Sequence, residues 1–407
     1  MRSILEAPAP IERSTSRLPV GRPPLLAFVA DAETERVLRE CLSHLALAQG
    51  EIMRGGIAKA VEYLGSQRSP NTLIVDISGV DLPVSQILAI EEVCEPGVVV
   101  IAIGTRNEIG LYRDLLKAGV SEYIVKPLNT QLLSRALSAG PVAGEATPIH
   151  LKLGTMVAVI GARGGVGTTT LAVNLAWHLA NRQSRRVALV DLDLQNGDCA
   201  LALNIKPTSG LREALVNPAR IDNTLLERVM MPIGSRLFVL SSEEPLRDNL
   251  RLTPEAVETL VTALRDQFHY VILDVPRTPE PPYQRALDLA DFRIIVCDQT
   301  LRAVRDTVRL RSALGEGDVD GKHRTLLVVN RHGEGGRLAV TLQEMRKVLD
   351  LRPSAVIPFE PKLFTAAITN SQIAASRRGK LADAIGALVL ELSGRPAERR
   401  RWWSSAK

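Results

Sequence analysis

The apolar positions of this chain gather into short continuous runs, separated by longer stretches whose apolar residues recur with helical spacing. From Leu25 to about Ser138 the runs are LLAFVA, TLIVDIS, VVVIAIG and EYIVKP, with helices predicted over Glu33 to Ala48 and near Ile109 to Ala118. Strand and helix in alternation predict an α/β domain with a parallel sheet. Ala139 to Pro148 is rich in Gly, Pro and Ala, lacks periodicity and reads as a linker. From about Ile149 to Ser393 the alternation resumes, through MVAVI, RVALVDLD, RLFVLSS, YVILDVP, FRIIVCDQ, TLLVVNR and SAVIPFE. Runs that are apolar at consecutive positions mark parallel strands covered on both faces. Ligands of such sheets sit at the carboxyl ends of the strands, so the residues that close each run are the candidates for chemistry.

The run MVAVI leads into Gly161-Ala162-Arg163-Gly164-Gly165-Val166-Gly167-Thr168-Thr169-Thr170 and then an apolar-periodic helix. This is the pattern of a phosphate-binding loop: glycines let the backbone approach a polyphosphate, successive N–H groups converge on it, and the helix directs its positive end at the same anions. The strict G-x-x-x-x-G-K-[ST] form is broken twice, by Ala162 at the first glycine and by Thr168 where a phosphate-clamping lysine belongs. Backbone amides can hold a nucleotide without that lysine, but charge stabilisation as the γ-phosphoryl leaves is weakened. Nucleotide binding with slow or absent hydrolysis is therefore expected. Strand RVALV closes in Asp191-Leu192-Asp193 and YVIL in Asp274. Acids at these ends, with the Thr169 hydroxyl, are where a P-loop NTPase holds Mg²⁺ and orients the attacking water.

Length and composition narrow the class. A chain of 407 residues suggests two domains, and 45% hydrophobic with 23% charged residues is globular composition. Cys41, Cys94, Cys199 and Cys297 lie far apart with no C-x-x-C pair and read as buried residues of a reducing compartment. No run is long enough to span a bilayer and no signal-peptide pattern opens the chain, so a cytoplasmic protein is expected. The net charge of +5 is too small to point to nucleic acid by itself. Residues 1–24, with five prolines and four arginines, are expected to be a flexible arm. The last segment, 394–407, sets Arg395, Arg399, Arg400 and Arg401 against Trp402 and Trp403, a combination suited to weak contact with a membrane surface; a solvated tail accounts for the same residues.

Over residues 155 to 395 these motifs resemble the MinD/ParA family of deviant Walker ATPases. The resemblance implies a P-loop NTPase fold with a mostly parallel sheet, ATP and Mg²⁺ as cofactors, and a nucleotide-sandwich homodimer. It puts Arg163 at the signature-lysine position that reaches the partner's phosphates and Asp193 at the water-orienting aspartate. Asp274 falls at the Walker B position, Asn330 at the adenine-reading asparagine and Pro358 in the segment lining the base. Residues 25–138 look like a flavodoxin-like response-regulator receiver. Asp76 stands at the phosphoacceptor position, Thr105 ends VVVIAIGT, Lys126-Pro127 follows Tyr123, and the acidic pair reduces to Asp31 with Ala32 beside it. A receiver-like domain ahead of such an ATPase resembles the CpaE/TadZ family of Flp-type (tight adherence) pilus assembly proteins. That resemblance implies a localisation factor at a cell pole, peripheral to the inner membrane, that recruits pilus secretion machinery proteins. The alternative is a ParA-like DNA segregation protein, supported by Arg302, Arg305 and Arg309 on one helix face. A solvated face explains these arginines equally, and nucleic acid is not expected among the partners.

Overall fold

Strand and helix alternate from Leu25 to Leu392 in the computed structural model, which describes residues 22–44, 50–138, 153–248, 252–315, 323–369 and 372–393. These residues fall into two compact units, one ending at Gly154 and the other beginning at Thr155. The predicted linker from Ala139 to Pro148 and the basic tail from residue 394 lie outside the described residues, as do residues 1–21 of the predicted arm.

The first unit runs β1 (Leu25–Val29), α1 (Ala32–His44), β2 (Glu51–Arg54), α2 (Gly56–Leu64), β3 (Thr72–Asp76), α3 (Pro83–Val93), β4 (Val99–Gly104), α4 (Ile109–Lys117), β5 (Glu122–Val125) and α5 (Thr130–Ser138). Its sheet has the order β2-β1-β3-β4-β5 with every pairing parallel, the flavodoxin-like doubly wound order. Leu26 and Phe28 face α2, α3 and α4, whereas Leu25, Ala27 and Val29 face α1 and α5. That two-sided burial is why the strand is apolar at every position. The edge strand β2, Glu-Ile-Met-Arg, is exposed at both ends and carries no apolar run, so the pattern did not announce it. One expectation is corrected. Residues 22–24 are not part of a free arm: Pro23 and Pro24 accept backbone hydrogen bonds from Asn71 and Thr72, and Arg22 donates to the Pro96 carbonyl at 2.7 Å. The physical reason is Glu95, a buried carboxylate that Arg22 and Arg68 approach at 3.3 and 3.6 Å.

The second unit continues with β6 (Thr155–Gly161), α6 (Thr168–Arg182), β7 (Val187–Asp191), α7 (Cys199–Ala202), α8 (Gly210–Val216), α9 (Asn223–Val229), β8 (Met231–Ile233), β9 (Leu237–Leu240) and α10 (Pro254–Arg265). It closes with β10 (Tyr270–Val275), α11 (Pro281–Leu289), β11 (Phe292–Cys297), α12 (Leu301–Ala313), β12 (Arg324–His332), α13 (Leu342–Leu349), β13 (Pro353–Pro358), α14 (Pro361–Thr369) and α15 (Lys380–Leu392). The strand order is β13-β12-β11-β6-β10-β7-β9-β8, parallel except for the β8–β9 hairpin at one edge. Met156, Ala158 and Ile160 of β6 pack into one core with α8 to α13; Val157 and Val159 pack into the other with α6 and α15. All seven predicted apolar runs are strands here, and the short antiparallel β8 is the addition.

One buried cation ties the layers together. Arg293 on β11, 6% exposed, donates through Nε to the Leu287 carbonyl at 2.8 Å and through Nη1 to the Leu314 carbonyl at 3.0 Å. Those carbonyls close α11 and α12, where the helix dipoles favour a cation. Arg293→Ala takes the side-chain donor from both carbonyls, leaving Leu287 only the longer Ala290 N–H at 3.4 Å, and opens a void, so chemical denaturation should show a loss of about 2–4 kcal/mol in the second unit. A loss under about 0.5 kcal/mol would rule the clamp out.

Candidate functional site

The phosphate loop lies where β6 ends in the middle of the sheet. Ala162 donates its N–H to Val296 of the neighbouring strand at 2.8 Å, residues 164 and 165 form a turn, and among the described residues the Gly167 N–H bonds no backbone carbonyl. Gly167 has φ +93°, left-handed backbone that a side chain disfavours, and it opens α6 without a side-chain cap. The first N–H groups of a fifteen-residue helix are therefore left for an anion. Val166 is buried and anchors the loop, while Gly164 and Gly165 are exposed and Arg163 is half-buried, its guanidinium without a partner among the described residues. Thr168 turns its hydroxyl back over Gly161, so no cation stands at the clamping position.

Beside the loop, strand register sets two acids together. Asp274 of β10 and Asp191 of β7 are paired residues of adjacent parallel strands. The Asp191 carboxylate accepts from the backbone of Asp193 at 3.2 Å and of Cys199 at 3.0 Å, which wraps the intervening loop around it. A Cβ at Gly197 would strike that carboxylate, so glycine is what permits the close wrap. Asp274 receives the Thr169 hydroxyl and lies 3.7 Å from the Cys199 sulfur. Burial, and then the charge of Asp274, pushes the Asp191 carboxyl up to about 7. Burial likewise pushes Asp274 up to about 6, against the hydrogen bonds from Thr169 and Cys199. Burial and the two carboxylates drive the Cys199 thiol well upward, which keeps it protonated.

Asp191, Cys199 and Asp274 form a buried cluster that can hold a metal ion. The donor chemistry suits Mg²⁺: two carboxylates and the Thr169 hydroxyl are hard oxygen ligands, and a protonated thiol is a bystander to such an ion. Two of the expected ligands, Thr169 and Asp274, are thus brought together. The Asp193 carboxylate accepts from the Asn196 backbone at 2.9 Å and lies outside the three-residue cluster, near enough for its charge to help raise Asp274. Asp191, at the same strand end in the sequence, is the acid paired with Asp274, whereas Cys199 carried no signal beyond being a cysteine. Asn330, at the end of β12, donates its side-chain amide to the Val166 carbonyl at 2.8 Å. Pro358 closes β13 beside β12, at the same edge of the sheet.

In the first unit the predicted acidic pocket sits at the switch point between β1 and β3. Lys126 Nζ lies 2.5 Å from Asp31 and 2.6 Å from Asp76. Asp76, its side chain fully buried, also accepts from the backbone of Ala30 and Ser78, each at 3.0 Å. The bond from Lys126, then that from the Thr34 backbone, holds Asp31 down at about 2. Thr105 is exposed and has no hydrogen bond to Asp76.

A parallel sheet with a glycine-rich loop at a strand end, an uncapped helix start and paired acids on the adjoining strands defines a nucleotide-binding P-loop ATPase fold. An AAA domain family model matches residues 154–315. The septum site-determining protein MinD of Synechocystis sp. is 30% identical over 205 residues, covering 50% of this chain and 73% of that one. The chain belongs to the MinD/ParA family of ATPases. MinD of Pyrococcus horikoshii, solved with Mg-ADP, has a TM-score of 0.51 at 20% identity, over 59% of this chain and 96% of that one. A pilus assembly protein CpaE from Caulobacter crescentus is 31% identical over 28% of this chain and 96% of its own, with a TM-score of 0.27. No helix among the described residues is long and apolar enough to cross a membrane.

Two predictions follow from the two acid sites. For Asp191 and Asp274 the folded pKa values lie above the ordinary 3.8, so the folded chain binds more protons than the unfolded one and stability falls as pH rises through about 6–7. Asp274→Asn should raise metal-free stability above about pH 7 by on the order of 1–3 kcal/mol, with no gain near pH 4. A thermal-melt series over pH checks this; a loss of stability at high pH refutes it. In the first unit, Lys126→Met leaves the buried Asp76 carboxylate without its counter-ion, while the half-exposed Asp31 keeps its Thr34 donors, and should cost about 2–3 kcal/mol, of which adding Asp76→Asn recovers a large part. Strictly additive losses in the double variant would show that Lys126 does not act as the counter-ion.

Proposed function

We propose that this protein is an ATP-binding localisation factor for Flp-type, tight-adherence pilus assembly, working as an ATP-favoured homodimer with slow or absent hydrolysis. The observation that carries the reading is the loop itself: amides free for phosphate, an uncapped helix start and the Thr169–Asp274 link, with Thr168 turned inward where a lysine would clamp the β/γ-phosphates. Mg²⁺, when bound, neutralises phosphate charge. Asp191, Asp274 and Thr169 are the residues that would hold it, directly or through water. Asp193, on the loop wrapped around Asp191, orients water, and Asn330 and Pro358 lie toward the base. Arg163, without a partner among the described residues, reaches the phosphates of the partner, where a guanidinium can bond in bidentate fashion. A protein that binds without rapid turnover serves as a long-lived marker rather than a motor.

The receiver-like unit supports the same role. Its acid pocket already contains a covalently attached cation, Lys126, so it works as a docking module whether or not Asp76 is phosphorylated. The role in pilus assembly rests on the combination of this unit with the ATPase. The basic tail would add weak contact with an anionic membrane near the pole. The DNA segregation reading has one observation in its favour, the exposed Arg302, Arg305 and Arg309 of α12, but Arg305 is already paired with Asp306 at 2.9 Å. Salt-insensitive, negligible DNA retention would set that reading aside.

The test is ATP against ADP binding with simultaneous sizing. ATP with Mg²⁺ should bind and shift the protein to a dimer, and Arg163→Ala should weaken that association roughly tenfold or more. Turnover at the rate of lysine-bearing relatives, or unchanged dimerisation of Arg163→Ala, counts against the proposal.

A further inference from the structure

Resting on the nucleotide reading of this site, we infer that Asn330 is a positioning residue that sets the phosphate loop, so the grip on phosphate is built in part by a side chain at the base end of the site. The two partners are 164 residues apart, and β11 separates β12 from β6 in the sheet. Nevertheless the Asn330 amide donates to the Val166 carbonyl at 2.8 Å, and this is the side-chain hydrogen bond Asn330 makes among the described residues. Asn330 is 8% exposed, so that bond is made away from competing water.

The geometry of the peptide group turns this bond into control of the loop. A trans peptide is planar, and its C=O and N–H point in opposite directions. Anchoring the carbonyl of Val166 therefore aims the N–H of Gly167 away from Asn330. Among the described residues no backbone bond fixes that peptide at its other end, because the Gly167 N–H bonds no backbone carbonyl. Gly167 at φ +93° carries no side chain that would resist rotation of the plane, and a Cβ there would collide with the Asn330 amide, so the two residues are packed together. Without Asn330 the 166–167 peptide is free to rotate, its carbonyl loses a buried partner, and the Gly167 N–H no longer keeps one direction. Asn330 has a second N–H and a carbonyl oxygen left for a base. It can thus face a base and brace the loop at once.

The discriminating probe is inorganic tripolyphosphate, which has phosphates and no base. In the full chain, Asn330→Ala should weaken ATP, GTP and tripolyphosphate binding by a similar factor, roughly tenfold. Asn330→Leu, which keeps the volume and cannot donate, should do the same and guards against an effect of the void. Hydrogen exchange without any ligand supplies an independent arm: amides of residues 164–168 should exchange faster in both variants. Weaker ATP binding with tripolyphosphate unchanged would make Asn330 a base reader alone and overturn the inference, as would unaltered exchange in the loop. If the native chain binds none of the three probes, the nucleotide reading fails. The exchange arm then decides the positioning role by itself.

Discussion

Two carboxylates buried side by side at the ends of adjacent strands set the terms for the second unit. Asp191 and Asp274 are register partners, and desolvation raises both toward neutrality. A fold keeps such a pair only if something offsets their cost. Part of the offset is internal: backbone N–H groups of the loop wrapped around Asp191, the Thr169 hydroxyl and the Cys199 thiol. None of these donors is a cation. The pocket therefore stands to gain from a divalent ion, and it lies beside an uncapped helix start.

The first unit meets the same problem with the opposite solution. It too places acids at the carboxyl ends of parallel strands, at Asp31 and Asp76, but Lys126 from beyond β5 inserts its ammonium between them. A tethered cation costs no binding entropy and does not leave. One architecture thus yields a pocket open to an exogenous ion and another closed by its own side chain.

How much could be read in advance depended on the range of the interaction. Buried strands such as β6 and β10 were legible because burial on both faces forces every position to be apolar. Edge strands β2 and β8 were not, since an edge half in water has no such constraint. The loop was legible because glycines, a strand before and a helix after are local. The choice of Asp191 over Asp193 for the buried cluster was not, because it depends on which residue pairs with Asp274 across the β7–β10 ladder, and sequence spacing holds no record of register.

The sequence by itself determined the class of sheet, the phosphate loop and the missing lysine, all consequences of burial pattern and of residues adjacent in the chain. Only the tertiary structure decided which side chains meet: Lys126 with two acids, Arg293 with two helix ends, Cys199 with Asp191 and Asp274, and Asn330 with the backbone of Val166. Each of these contacts joins residues from separate elements, several of them far apart in the chain. Its existence rests on strand order and register, which follow from packing the whole sheet and not from any local run.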